Sequence, residues 1–227
     1  VLDAVYAAYT RGWAELGEPG APQLAEEAIW LGRLIVSLLP AEPEAKGMLA
    51  LMLYAEARRA ARRGPDGAYV PLAEQDRSLW DETLIAAAEA LLRQANAAGP
   101  SERFQIEAAI QSAHVARLKT GADTWPAILA LYDHLLALTQ SPVVALNRAA
   151  ALAEVEGPAP ALAAIAPLAM DKRMAAYQPY WALKGHLLRE VGNTAEAHEA
   201  LTVAIGLSTD AAVRRYLQGQ IEGLLSG

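Results

Sequence analysis

The sequence predicts an all-α protein of about eleven helices, stacked as antiparallel helical hairpins in a right-handed superhelix. Three observations carry that expectation. Alanine makes up about a fifth of the 227 residues and leucine about a seventh, and neither side chain loses much freedom in a helix. Apolar residues recur at helical spacing along almost the whole chain, with glycine and proline at the joints. Gly157 and Gly192 each close a helical stretch and stand 35 residues apart, the period of paired-helix repeats.

Taken in order, the first helix spans Leu2 to Leu16 and stops at Gly17-Glu18-Pro19-Gly20. The second, Pro22 to Leu39, aligns Leu24, Ala28, Leu31, Ile35 and Leu38 on one face before Pro40 and Pro43 end it. A third covers Glu44 to Arg63. The turn residues Gly64-Pro65-Asp66-Gly67 then interrupt the pattern, and Pro71 biases Ala68–Leu72 toward extended backbone. Helix four is expected over Ala73–Ala97, ending near Gly99-Pro100, and helix five over Ser101–Lys119 with Ser101 as its cap. Six shorter helices follow: Thr124–Leu138, Pro142–Glu156, Pro158–Leu168, Pro179–Val191, Thr194–Leu207 and Asp210–Leu225. Residues 1–140 form an N-terminal helical part with a non-helical insertion near 64–72, and 141–227 form the repeats, all in one continuous body.

The best-formed repeat places Trp181, Gly185 and Leu188 on one helix and Ala197, Leu201 and Ala204 on the next. A large anchor, a small residue at the crossing and small residues opposite are the tetratricopeptide arrangement. Lys184 stands where leucine is usual, and Thr209 where a closing proline is usual.

Composition narrows function. Hydrophobic residues reach 54% against 20% charged, which excludes a disordered tail. No apolar run approaches the roughly 18 residues of a membrane span, so no membrane contact is expected. The net charge of -7 is a poor match for nucleic acid, and direct DNA contact is not expected. Cysteine is absent, which removes disulfides and thiolate chemistry. The histidines, His114, His134, His186 and His198, show no metal-binding spacing, and no phosphate loop or nucleophile elbow occurs. No catalytic residue, cofactor or metal is expected. The chain opens on Val1 and reads as helix from Leu2, as a segment of a longer protein would, and a cytoplasmic location is expected.

Polar residues outside the core pattern supply the site candidates. Arg58 and Arg62 share one helix face, Arg59 and Arg63 the adjacent one. Two readings stand side by side: a favourable cationic helix end, or a site for an anion or acidic partner. Gln75, Asp76, Trp80 and Asp81 open helix four. There Trp80 reads as core, and Asp76 is expected to bridge to Arg58 or Arg62 and pin the Pro65–Leu72 loop. Asn147 and Arg148 lie in an otherwise apolar helix, where the amide either bonds a neighbouring helix or faces a ligand.

At these segments the sequence resembles the C-terminal extension of extracytoplasmic-function (ECF) RNA polymerase sigma factors, a tetratricopeptide-like domain that follows the DNA-binding regions. The matching stretches are EAIWLGRLIVSLLPAEPEAKGMLALMLYAEARRAAR, DGAYVPLAEQDRSLWDETLI, RFQIEAAIQSAH, ILALYDHLLALTQSPVVALNRAAALAEVEGPAPAL and LKGHLLREVGNTAEAHEAL, in order along nearly the whole chain. Family-like features fall on Arg58, Arg62, Asp66, Gly67, Gln75, Asp76, Trp80, Ile110, His114, Trp125, Tyr132, Pro142, Asn147 and Arg148. Tyr54, Glu107 and the order Asp123-Thr124 depart from the pattern. The resemblance implies a regulatory module whose partners are the sigma N-terminal regions of the same polypeptide, the RNA polymerase core and small YCII-like (DGPF) proteins. Tyr132, Asn147, Arg148 and Tyr177 would then line a groove that grips a helix or loop. Two further classes are a free-standing peptide-binding scaffold, and a small-molecule sensor using Arg58, Arg62, Asp76 and His114.

Overall fold

A computed structural model describes residues 1–14, 21–99 and 101–225. The expected stop of the first helix at residues 17–20, and Pro100 at the end of the fourth, lie outside the described residues. The chain is all-α. Among the described residues there are twelve α-helices joined by short 3₁₀ turns, and the one β-type contact is an isolated bridge between Arg63 and Tyr69. Contacts divide it into two compact units, Val1–Arg62 with Leu72–Thr124, and Arg63–Pro71 with Trp125–Gly227.

The first unit holds α1 (Leu2–Ala14), α2 (Ala21–Leu38), α3 (Pro43–Glu56), α4 (Glu82–Asn96) and α5 (Arg103–Thr120). Helix α3 is its axle: it packs on all four others, and every residue from Gly47 to Tyr54 is buried. A helix apolar on all sides needs cover on all sides. At the start of α3, the Glu44 carboxylate accepts the Phe104 and Gln105 amides, at 2.9 and 3.0 Å, which are orphan donors of the first turn of α5. Gly47 makes the crossing feasible, since a Cβ there would stand 2.7 Å from the Gln105 nitrogen. Burial pushes the Glu44 pKa up, while the two amides pull it down.

Helix α2 turns a different face inward from the one its leucines suggest. Ala25, Ala28, Ile29 and Gly32 are buried, whereas Leu31 and Leu38 are exposed. Small residues let α2 approach α3 closely; a Cβ on Gly32 would meet the Met52 methyl at 2.7 Å. The third and fourth helices are also shorter than expected. The chain leaves α3 at Glu56 through a 3₁₀ turn over Arg59–Arg62, and α4 begins only at Glu82. Two competing caps explain the late start. Asp76 accepts from Ser78 N–H and closes a 3₁₀ turn at Arg77–Leu79, and Asp81 accepts from the Thr83 and Leu84 amides and starts the helix. Helix α5 starts after Glu102, not Ser101, where the Gln105 side chain accepts the Glu102 N–H at 3.2 Å.

In the second unit α6 (Trp125–Thr139), α7 (Pro142–Glu156), α8 (Pro158–Ile165), α9 (Lys172–Ala175), α10 (Gln178–Glu190), α11 (Thr194–Leu207) and α12 (Ala211–Leu225) follow one another, and most pack on their sequence neighbours. The short α9 is the helix the sequence pattern does not separate. Pro142 and Pro158 open their helices, while Gly157 and Gly192 take φ of +91° and +83° at the joints. The α10–α11 hairpin closes on Gly185, where a Cβ would lie 2.7 Å from Leu201 Cγ. Trp181 donates its indole N–H to Ala175 O at 3.0 Å, and the Lys184 ammonium sits 5.3 Å from its ring centre, giving the atypical lysine a partner. The 63–71 segment is held within this unit by the Arg63–Asp210 ion pair and by Tyr69 edge-on to Tyr216 at 5.3 Å.

The hairpin generates a paired prediction. Gly185→Ala should lower unfolding free energy by about 1–2 kcal/mol despite its better helix propensity, because Leu201 must move. Gly206→Ala, on exposed α11 surface with nothing within 4 Å of its Cβ position, should be neutral or stabilising by up to about 1 kcal/mol. Chemical denaturation of both variants checks this, and equal responses would contradict the crossing.

Candidate functional site

The candidates divide between the two units. In the first, Arg58 stands one turn beyond Tyr54 and is 9% exposed. Its Nε donates to Tyr54 O at 3.3 Å and its Nη2 to Gln111 Oε1 at 2.5 Å, tying the end of α3 to α5. Among the described residues no carboxylate pairs with it, so its charge is met by an amide and a carbonyl. Burial pulls its pKa down, without removing the charge of a guanidinium. His114 lies on α5, one turn past Gln111. Burial, with Arg117 and Arg58 adding to it, lowers its pKa to about 4 and keeps the ring neutral near pH 7. Arg62 instead stacks on Trp13, 3.4 Å from the ring centre, and donates to Trp13 O at 2.6 Å. The arginine pair on one face therefore serves two separate ties.

The expected bridge from Asp76 to Arg58 or Arg62 does not form. Asp76 is exposed; the Ser78 hydroxyl, and the Ser78 amide at 2.8 Å, both donate to its carboxylate and hold its pKa below the usual carboxylate range. A local amide two residues away reaches it at little entropic cost, whereas both arginines already have partners. Trp80 is buried in the core of this unit, as its type suggests, and Gln75 is half-buried beside the 3₁₀ turn Leu72–Glu74. The chain is anchored there by Asp81 N–H on Ala57 O at 2.9 Å.

In the second unit, Asp66 accepts the Ala68 amide at 3.0 Å and Gly67 takes φ of +76°, a tight turn with no further role in its geometry. Tyr132 is half-buried on α6, and Arg148 on α7 forms an ion pair with Asp133 on α6. Asn147 is exposed, and among the described residues its side chain makes no hydrogen bond, so the expected tie to a neighbouring helix or loop is not seen there. The helix turns it outward because Leu146 and Ala149 occupy the packed face. A cavity of about 120 Å³ lies between α10, α11 and α12, where Arg189 donates to Gln220 and contacts His186 Nδ1 at 3.1 Å. Among the described residues no group of three or more His, Asp or Glu side chains has the placement of a metal site.

Sequence reasoning missed three features. Glu44 reaching α5 and Arg63 reaching Asp210 join residues 60 and 147 positions apart, with no local signal. The third, an outer apolar stripe on α2, was readable in the spacing of Trp30, Leu34 and Leu38.

Residues 1–96 match the model of a family of unknown function, DUF6596. The chain is 38% identical over 226 residues to "Uncharacterized protein R00370" of Rhizobium meliloti (strain 1021), covering 99% of the chain and 53% of that protein. The chain thus spans about half the length of this curated relative. No solved structure matches it. No helix among the described residues is long and apolar enough to cross a membrane.

The neutral His114 sets a pH dependence. An unfolded histidine protonates near 6.5 and folded His114 near 4, so the unfolded state takes the proton first. Its contribution is whole above about pH 6.5 and is lost as pH falls toward 4. His186 is lowered too, so the variant isolates His114. Between pH 7 and pH 4, His114→Gln should lose less stability than the wild-type chain, by about 2–3 kcal/mol. Denaturant titrations at the two pH values read this directly, and equal losses would contradict it.

Proposed function

We propose that the chain is the C-terminal regulatory region of an ECF-type RNA polymerase sigma factor. In this reading it modulates transcription initiation by touching the sigma N-terminal regions, the polymerase core or a small YCII-like partner. It works in the cytoplasm, contacts no DNA itself and carries no reactive centre. The observation that carries the reading is Asn147, an exposed amide in the middle of an apolar helix with no partner among the described residues. A side chain of that kind contributes nothing evident to folding and is suited to hydrogen-bond another polypeptide.

Two further facts support it. Arg58, Arg62 and Asp76 each engage separate structural partners and do not gather around one ligand, which disfavours a small-molecule sensor. The relative carries about as much sequence again as the chain matches, room for the two helical regions of a sigma core.

Promoter-driven transcription by the full-length factor tests the reading against a version lacking this region. Deletion should change output several-fold in either direction, and Asn147→Leu should alter regulation while leaving the melting temperature unchanged. Indifference of transcription to the deletion would overturn the assignment and favour a free-standing peptide-binding scaffold.

A further inference from the structure

Helix α2 is apolar on two opposite faces. Its inner face packs on α3 through Ala25, Ala28, Ile29 and Gly32; its outer face is polar in the N-terminal half, at Gln23, Glu26 and Glu27, and beyond that carries exposed Arg33 and Ser37 along one edge. From Trp30 onward the rest of the outer face is Trp30, Leu34 and Leu38, spaced four residues apart, with Leu31 beside them. They are 62%, 39%, 69% and 38% exposed, in that order of Trp30, Leu34, Leu38 and Leu31. A surface helix normally reserves this side for charged residues, so its apolarity asks for cover. Next to Trp30 runs an open groove of about 270 Å³, walled by Ile29, Leu53 and Leu84 and rimmed by Glu26 and Arg33.

We propose that this face pairs with the same face of a second copy of the chain, with α2 antiparallel to α2 about a two-fold axis at Leu34. The inference is independent of the sigma-factor reading. In that register Leu34 meets Leu34, and Trp30 of each copy meets Leu38 of the other, so all three stripe residues find apolar partners twice over. Leu38 of the second copy falls beside the groove next to Trp30. In the same register Glu27 lies opposite Ala41, and Glu26 falls opposite Glu42 at the polar edge of the contact.

The area argues for a second copy. The four apolar side chains expose on the order of 400 Å² per copy, and with their polar flanks a pair removes about 1,000–1,200 Å², the lower edge of specific interfaces. A contact of that size belongs with the weak, transient interfaces. A stripe only about three turns long, with polar residues beyond it, fits an interface of that limited size.

Sedimentation velocity from roughly 5 to 500 µM, a range that covers weak association, is the test. The wild-type chain should shift from monomer to dimer, and Trp30→Glu and Leu38→Glu should each weaken association by about tenfold or more with unchanged circular dichroism. Because the chain has no cysteine, Leu34→Cys places a unique thiol on the proposed axis. It should oxidise to a cross-linked dimer, while Glu199→Cys, exposed on α11, should not. A chain that stays monomeric across the range overturns the proposal, as does a dimer that tolerates both glutamates, which would place another surface at the contact.

Discussion

The first unit depends on the place where α3 and α5 meet end to side. Glu44 offers its carboxylate to two amides that the start of a helix leaves unpaired, and Gly47 removes the Cβ that would otherwise hold the two backbones apart. The two features need each other. Without the glycine the α5 backbone could not come so close, and without the carboxylate the approach would bury bare N–H groups. Once α5 is fixed there, its later turns bring Gln111 and His114 to the end of α3, where Arg58 donates to Gln111. The buried polar seam is thus a consequence of the crossing.

The second unit solves the same problem with less polarity. Gly185 lets α10 settle against Leu201 and Ala197, and the Trp181 side chain covers the joint. Close approach between alanine-rich helices leaves little space for enclosed chemistry, and the polar side chains are accordingly spent on ties or turned outward. Arg148 is held by Asp133 and Arg63 by Asp210, while Asn147 is exposed.

Helical content and most joints were legible in the sequence, because alanine, leucine and the glycine and proline punctuation act locally. Trp80 as core and Pro142 and Pro158 as helix openers follow from residue type alone. The segment from Leu72 to Trp80 was not legible. Its apolar spacing suits a helix, but Asp76 and Asp81 each capture amides just downstream and divide it into turns. The site candidates were legible as unusual residues and not as partners. Arg58 pairs with Gln111, 53 positions away, and not with the nearer acid, because partners are set by which helices cross. The buried face of α2 was misjudged for a related reason. Leucines mark hydrophobicity, but small residues mark close approach, and here the small residues face inward.

The crossing of α3 and α5 is open to one direct measurement, amide hydrogen exchange in the wild-type chain and in Glu44→Ala. The account predicts that the Phe104 and Gln105 amides are strongly protected and that the substitution speeds their exchange by about tenfold or more, while Gly192 and Asn193 in the second unit keep their rates. Unchanged protection at Phe104 and Gln105 would mean that the carboxylate is not what receives the start of α5, and the rest of the first unit would need another explanation.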